Sequence, residues 1–161
     1  PQTVLALPLY LVASRVGLVN SYWAVLIPVL LDPFGVYLAR IFSNGYIDPG
    51  LIEAATIDGA SHLRAFFSVG LPLLAPGYVT IFLFQLTAIW NNFMLPLVML
   101  SDSSLYPLSL GLYTWNSQAP ITPQFYQIAI IGSLLALLPL VIAFLILQRY
   151  WRSGLTAGAI K

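Results

Sequence analysis

The chain has 161 residues, of which 60% are hydrophobic and only 7% are charged, whereas roughly 25% of residues are charged in an ordinary soluble domain. This composition predicts a membrane protein. The net charge of +1 leaves no basic field for a nucleic-acid partner. The absence of cysteine and the presence of one histidine, His62, exclude a disulfide framework, a thiolate nucleophile and a cysteine-based zinc site. No metal or cofactor is predicted.

Four apolar stretches are candidates for membrane spans. A helix needs roughly 20 mostly apolar residues to cross about 30 Å of hydrocarbon. Residues 23–41, 78–100 and 128–147 are long enough, and residues 1–14 are short. Because backbone groups in lipid must be hydrogen-bonded within the segment, we expect helices and not strands. The predicted fold is an all-α membrane protein, a transmembrane helix bundle of about four spans in one domain over residues 1–161.

The start of the chain has an unusual composition. It begins at Pro1 and not at Met, and an apolar run starts by Val4 without a preceding basic stretch. This is not the pattern of a signal peptide. It predicts a C-terminal fragment of a longer protein.

The segments that connect the spans differ in charge. Residues 16–22 and the loop 101–126 lie on one side of the membrane and carry Arg15 beside them as the only nearby basic residue. The loop 46–76 and the tail 148–161 lie on the other side. The basic residues assigned to this second side are Arg40, Arg64, Arg149, Arg152 and Lys161. The positive-inside rule therefore makes the loop 46–76 and the tail cytoplasmic.

The cytoplasmic loop carries the strongest local signals. Asp48 can cap a helix with Pro49 in its first turn, and this helix should run to about Ile57. Gly59 then provides a turn, and Ser61 can cap a second helix. One face of the second helix carries Leu63, Phe66, Phe67 and Gly70. Such a helix-turn-helix with exposed aromatic residues either docks into a groove of another protein or lies as an amphipathic loop on the bilayer.

The order of residues in this loop adds a resemblance. Glu53-Ala54-Ala55, Asp58-Gly59-Ala60, Phe66, Leu71-Pro72 and Pro76 resemble the EAA loop of permease subunits in ATP-binding-cassette importers. In that family the loop seats in a cleft of the cytoplasmic ATPase. The resemblance therefore implies a role in ATPase coupling for Glu53, Ala54, Ala55, Asp58, Gly59, Ala60, Leu63, Phe66 and Phe67.

Two further motifs look like the carbohydrate branch of that family, the permeases of maltose and glycerol-phosphate type. They are Trp90-Asn91-Asn92-Phe93 with Pro96-Leu97, and the tail Gln148-Arg149-Tyr150 with residues 154–158 and Lys161. The resemblance covers the chain but lacks the front portion of the family, normally two spans and part of a third. It implies a subunit that forms half of a translocation pathway for a sugar or polyol. A permease for a non-sugar solute is the alternative.

The resemblance also implies a location and partners. These are the bacterial or archaeal cytoplasmic (inner) membrane, an ATPase dimer, a second permease subunit and an extracytoplasmic solute-binding protein. The sequence has no P-loop motif, so hydrolysis of ATP is expected on a separate subunit and this chain is not expected to be an enzyme. One histidine and five scattered acids do not assemble a nucleophile with its base, which argues against an intramembrane enzyme. A channel is disfavoured because no ring of charge or filter-like glycine run lies in a span.

Several polar residues in the spans are candidates for the substrate pathway. Asn91 and Asn92 lie beside Trp90, with Gln85 one to two turns earlier. Amides can donate to and accept from hydroxyl groups, and an indole can cover the apolar face of a sugar. The alternative is hydrogen bonding between helices. Asp32, an ionisable residue in mid-span before Pro33, either has a proton or substrate role or breaks the helix beside a wet cavity.

The external loop offers a candidate contact for the solute-binding protein. Tyr113 and Trp115 lie within residues 101–126. Loops of this length usually carry function. The alternative is a loop that folds back over the bundle.

Overall fold

The computed structural model describes residues 2–30 and 32–157, and the side chains of residues 3–30 and 32–150. Every regular element in this part of the chain is helical, which confirms the all-α fold class. The side chain of Arg152, the motif residue Gly158 and Lys161 lie outside the described residues. The four-span count and the single domain stay predictions.

Ten α-helices and two helical turns make up the described part of the chain. They are α1 (Gln2–Arg15), α2 (Tyr22–Leu30), α3 (Pro33–Tyr46), α4 (Pro49–Ile57), α5 (His62–Ala65), a π-turn (Phe66–Gly70), α6 (Leu71–Leu73), α7 (Ala75–Trp90), α8 (Met94–Met99), a 3₁₀ turn (Ser103–Leu105), α9 (Leu108–Gln118) and α10 (Gln124–Ala157). The described residues group into two compact units. The first takes in 1–31 and 86–141, and the second takes in 32–85 and 142–161.

Two described stretches are long and apolar enough to cross a membrane. Tyr22–Tyr46 has a mean hydropathy of 1.7, and Gln124–Tyr150 has a mean hydropathy of 2.9. A third candidate consists of His62–Leu73 and Ala75–Trp90, which meet at a bend of 71°. The apolar part of α1 is shorter. The first two stretches contain the predicted spans 23–41 and 128–147.

The predicted helical span 78–100 differs from the structure, because α7 ends and α8 begins only after a break at residues 91–93. Pro96 has no N–H, so it cannot donate to the carbonyl of Asn92 four residues earlier. The hydroxyl of Ser109 donates to that carbonyl instead, at 2.8 Å. The proline thus frees a backbone acceptor, and a side chain of α9 satisfies it.

The first unit has a small apolar core. The buried residues that form it are Ala13 of α1, Ala24 of α2, Leu95 and Met99 of α8, and Leu100 directly after α8. Asn20 lies beside this core in a left-handed backbone conformation with φ of 59°. Its Oδ1 accepts hydrogen bonds from the backbone N–H groups of Ser101 and Asp102, at 3.0 and 2.9 Å. The connection between α1 and α2 is therefore tied to the end of α8.

The second unit is held by close approaches at two glycines. Gly77 of α7 is buried against Phe42 of α3, and a Cβ added at Gly77 would lie 2.8 Å from the Phe42 Cβ. Gly70 lies against Ile47 and Ile52, so that the π-turn packs on the start of α4. These contacts join α7 to α3, and the π-turn to the end of α3 and to α4.

Candidate functional site

The segment from α4 to α6 begins with a helix cap. The Asp48 carboxylate accepts a hydrogen bond from Gly50 N at 2.8 Å, and Pro49 occupies the first helical position. Proline costs nothing there, because the first N–H groups of a helix have no intrahelical partner. The helix starts where the sequence predicts and ends, as predicted, at Ile57.

A left-handed glycine ends α4. Gly59 has φ of +86°, its N–H donates to Thr56 O at 3.0 Å, and Ala60 N donates to Ala55 O at 3.0 Å. This pair of bonds is the Schellman arrangement, which satisfies the last carbonyls of the helix. A Cβ at Gly59 would meet no atom of the described chain within 4 Å. Within the chain, the requirement for glycine is therefore the left-handed backbone and not crowding.

The second helix of the segment starts at Ser61, whose Oγ accepts from Arg64 N at 3.3 Å. It continues through the π-turn to the end of α6 at Leu73, between Pro72 and Pro76. Leu71 N donates to Phe66 O, five residues earlier, and this wider turn accommodates the proline. Pro76 lies in the first turn of α7.

The outer surface of this segment is apolar. We use the name outer ridge for Ile57, Leu63 and Phe67, whose side chains are 85%, 73% and 62% exposed. Phe66 is less exposed and meets Phe67 edge to face, with 5.2 Å between the ring centroids. The side chains of Glu53, Asp58, His62 and Arg64 are exposed around the ridge. Ala54 is exposed and Ala55 and Ala60 are half-buried. The segment can therefore present an apolar surface with flanking charges.

Asp32 and Gln85, both predicted for the substrate pathway, contact each other. Asp32 caps α3: its Oδ2 accepts from Gly35 N. The same oxygen accepts from Nε2 of Gln85 on α7. Both side chains are half-buried. Asp32 thus caps the start of α3 and contacts α7 through Gln85.

The other predicted pathway residues belong to the first unit. Trp90 Nε1 donates to Ala136 O of α10 at 3.1 Å, three residues before Pro139. Asn91 is exposed, and its Nδ2 donates to Thr87 O within α7 at 2.9 Å. Asn92 Oδ1 accepts weakly from Leu95 N at 3.4 Å.

A cavity of about 270 Å³ lies beside Asn92 in the first unit. Apolar residues form most of its wall, with Pro96 among them, and Ser104 and Tyr106 also line it. An amide and hydroxyl groups in an otherwise apolar wall are compatible with a small polar ligand or with the end of a lipid chain.

The predicted external loop 101–126 contains a helix that the sequence analysis missed. This is α9, which carries both predicted contact residues. Tyr113 is 51% exposed and packs edge to face on Phe93, at 4.7 Å between ring centroids, and Trp115 is 39% exposed. Pro107 before the first turn is a helix-start signal in the sequence. Sequence reasoning also missed Asn20, although asparagine tolerates left-handed turns.

Comparisons with known proteins give matches along the chain. A family model described as "Binding-protein-dependent transport system inner membrane component" matches residues 1–156. The arabinooligosaccharides transport system permease protein AraQ of Halalkalibacterium halodurans is 36% identical over 163 residues, which cover 100% of this chain and 56% of the relative. AraQ of Bacillus subtilis is 33% identical over 161 residues, covering 100% of this chain and 56% of the relative. The melibiose/raffinose/stachyose import permease protein MelC of Bacillus subtilis is 31% identical over 166 residues, covering 100% of this chain and 58% of the relative. The chain spans a little over half the length of these curated relatives.

Proposed function

The chain belongs to the family of binding-protein-dependent transport system inner membrane components, and we propose that it is part of a permease subunit that forms half of a translocation pathway for a sugar or related polyol. The similarity over its whole length to a permease for arabinooligosaccharides and to one for melibiose, raffinose and stachyose carries this proposal. The same similarity favours a sugar over a non-sugar solute. The subunit lies in the cytoplasmic membrane of a bacterium or archaeon, with the tail and the loop 46–76 cytoplasmic.

The segment from α4 to α6 couples the permease to a separate cytoplasmic ATPase dimer. The exposure of the outer ridge supports this role. An apolar surface outside the predicted spans is exposed to water, and its burial in a groove of another protein lowers the free energy of the complex. Glu53 and Asp58 are exposed beside it and can pair with basic groups of the ATPase. Gly59 keeps α4 and α5 at the angle that the turn requires.

The remaining partners are a second permease subunit, which provides the other half of the pathway, and a solute-binding protein on the external side. Tyr113 and Trp115 present exposed aromatic surface for the binding protein. The exposed amide of Asn91 offers a donor and an acceptor to sugar hydroxyl groups. Asn92 lines the same stretch of the pathway through the cavity beside it, and Trp90 supports this stretch through its hydrogen bond to α10.

The test uses the complete permease pair with its ATPase in lipid nanodiscs, with and without the binding protein and a panel of oligosaccharides. Sugar and binding protein together should stimulate hydrolysis of ATP by the wild type. Gly59→Asp should reduce this stimulation by about tenfold or more, equivalent to at least ~1.4 kcal/mol, while the complex still inserts in the membrane.

Gly17→Asp provides a matched control. Gly17 also has a left-handed backbone, with φ of +70°, and a Cβ there meets no described atom within 4 Å. This substitution imposes comparable backbone strain in the α1–α2 connection, which belongs to the first unit, and should leave the stimulation within about twofold of the wild type. The proposal fails if no sugar stimulates hydrolysis, or if Gly59→Asp behaves like Gly17→Asp.

A further inference from the structure

The α4–α6 segment is joined to the rest of the chain through two helices. It follows α3, and it leads into α7. A force on the segment therefore reaches the spans through these two helices. If α3 and α7 moved independently, part of the displacement would only change the distance between them and would not reach the spans.

The two helices meet at two places. At the end of α3 nearer the segment, Phe42 lies on Gly77. At the far end, a Cβ built on Gly35 would lie 3.5 Å from Nε2 of Gln85. As the residue number rises along α3, the number of its contact falls along α7, which is the register of an antiparallel pair.

The far contact is both aromatic and polar. Phe34 and Phe84 meet edge to face, with 6.4 Å between ring centroids. Beside them, Oδ2 of Asp32 accepts from Gly35 N and from Nε2 of Gln85. One carboxylate oxygen therefore caps α3 and ties it to α7. A polar bond of this kind persists at membrane depth, because loss of either partner leaves a polar group in an apolar environment.

From this geometry we infer that Asp32 and Gln85 lock α3 to α7, so that the two helices transmit displacement of the α4–α6 segment together. Asp32 is a positioning residue that acts as the hydrogen-bond acceptor for both helices. The transport role of the lock depends on the proposed permease function, whereas the lock itself does not.

The chemistry of the pair suggests a swap that tests this inference. Gln85→Glu replaces the amide donor with a carboxyl group, which can donate to Asp32 only as the protonated acid, so in measurements at alkaline pH the lock should open. Asp32→Asn keeps an oxygen that accepts from Gly35 N and from the Gln85 amide, so the lock should hold. When both substitutions are combined, the introduced amide can donate to the introduced carboxylate while its oxygen still caps α3. The combination should therefore repair the damage caused by Gln85→Glu alone.

Transport and ATP hydrolysis are measured for these three variants in the complete transporter. Gln85→Glu should lower the sugar transported per ATP hydrolysed by about tenfold, since like charges at close range are strongly unfavourable in an apolar setting. Asp32→Asn alone and the combined variant should each remain within about threefold of the wild type, as expected for a pairwise interaction that the swap restores. Gln127→Glu adds the same carboxylate at an exposed amide of α10 and should leave the ratio unchanged.

A second readout separates the lock from the proposed function. The apparent Tm of each purified complex in detergent needs no sugar, and it should fall for Gln85→Glu and recover in the combined variant. If no sugar is transported but the Tm pattern holds, the proposed function fails and the lock stands. If the combined variant is as impaired as Gln85→Glu in both readouts, the lock is refuted. If Asp32→Asn alone abolishes transport while its Tm is unchanged, the charge of Asp32 matters and the positioning role is refuted.

Discussion

The α4–α6 segment lies in a predicted loop, and the α8–α9 region runs from the end of the predicted span 78–100 into the loop 101–126. Only the second of these two regions buries large apolar side chains almost completely. In the α4–α6 segment, Ile57 is 85% exposed and Leu63 is 73% exposed. In the α8–α9 region, Met99 and Leu110 are each only 1% exposed. Local caps and a glycine turn give the first segment its shape without burying its apolar side chains. The second region takes its shape from burial against its own unit. The exposed apolar surface of the α4–α6 segment is suited to binding a partner. The buried apolar side chains of the α8–α9 region stabilise the fold.

The largest effect is expected in the region whose apolar side chains are buried. Leu110→Ala should lower the free energy of unfolding by about 2–5 kcal/mol, because it leaves a cavity beneath α9. Leu108→Ala on the same helix is the control, since Leu108 is 43% exposed. Thermal unfolding of the complex in detergent measures both. Equal effects for the two variants would show that burial of Leu110 does not hold α9.

The exposed segment should show the reverse. Replacing both Ile57 and Leu63 with Ser should weaken binding of the ATPase by about ten- to a hundredfold, roughly 1.4–3 kcal/mol, because the outer ridge loses apolar area in the interface. Stability of the permease alone should change by less than about 0.5 kcal/mol, as for exposed surface positions. Co-purification at a series of ATPase concentrations measures the first effect, and the apparent Tm measures the second. A variant with a lower Tm but unchanged binding of the ATPase would show that the outer ridge stabilises the fold and does not bind a partner.

A smaller effect is expected at Asn20, which ties the α1–α2 connection to the end of α8. Asn20→Ala leaves the N–H groups of Ser101 and Asp102 without their side-chain acceptor and places alanine in a left-handed conformation. The free energy of unfolding should fall by about 1–2 kcal/mol. This value is at the lower end for a lost hydrogen-bond acceptor, because water can reach the exposed N–H groups. Hydrogen exchange at Ser101 and Asp102 should accelerate, while ATPase binding stays unchanged. Unchanged exchange would show that the Asn20 side chain does not protect these amides.

The features that could be predicted from the sequence depend on residues close together in the chain. The caps at Asp48 and Ser61 and the turn at Gly59 depend on residues two to five positions apart, so their sequence signals are complete. The all-α fold class and the two longest apolar stretches follow from composition and length in the same way. The cap that Asp32 provides for α3 is also local, although it was not predicted from the sequence.

The features that escaped prediction depend on residues distant in the chain. The break at residues 91–93 is stabilised by Ser109, which lies 17 positions after Asn92. The partner of Asp32 lies 53 positions away, on α7. The π-turn before Pro72 was not predicted either, because no residue type signals this widening of the helix. Pairings of this kind need the tertiary arrangement, which a single sequence does not contain.

The proposal states that the outer ridge docks in the ATPase and does not lie on the bilayer. One fluorescent label on the ridge tests it most directly. These 161 residues contain no cysteine, so Ile57→Cys introduces a thiol for an environment-sensitive fluorophore in nanodiscs that hold the complete permease pair, with any cysteine elsewhere in the transporter replaced by serine. The account predicts that a lipid-attached quencher has little effect and that adding the ATPase shields the label from a water-soluble quencher. Strong quenching by the lipid-attached quencher that is the same with and without ATPase would contradict it and identify the segment as an interfacial loop.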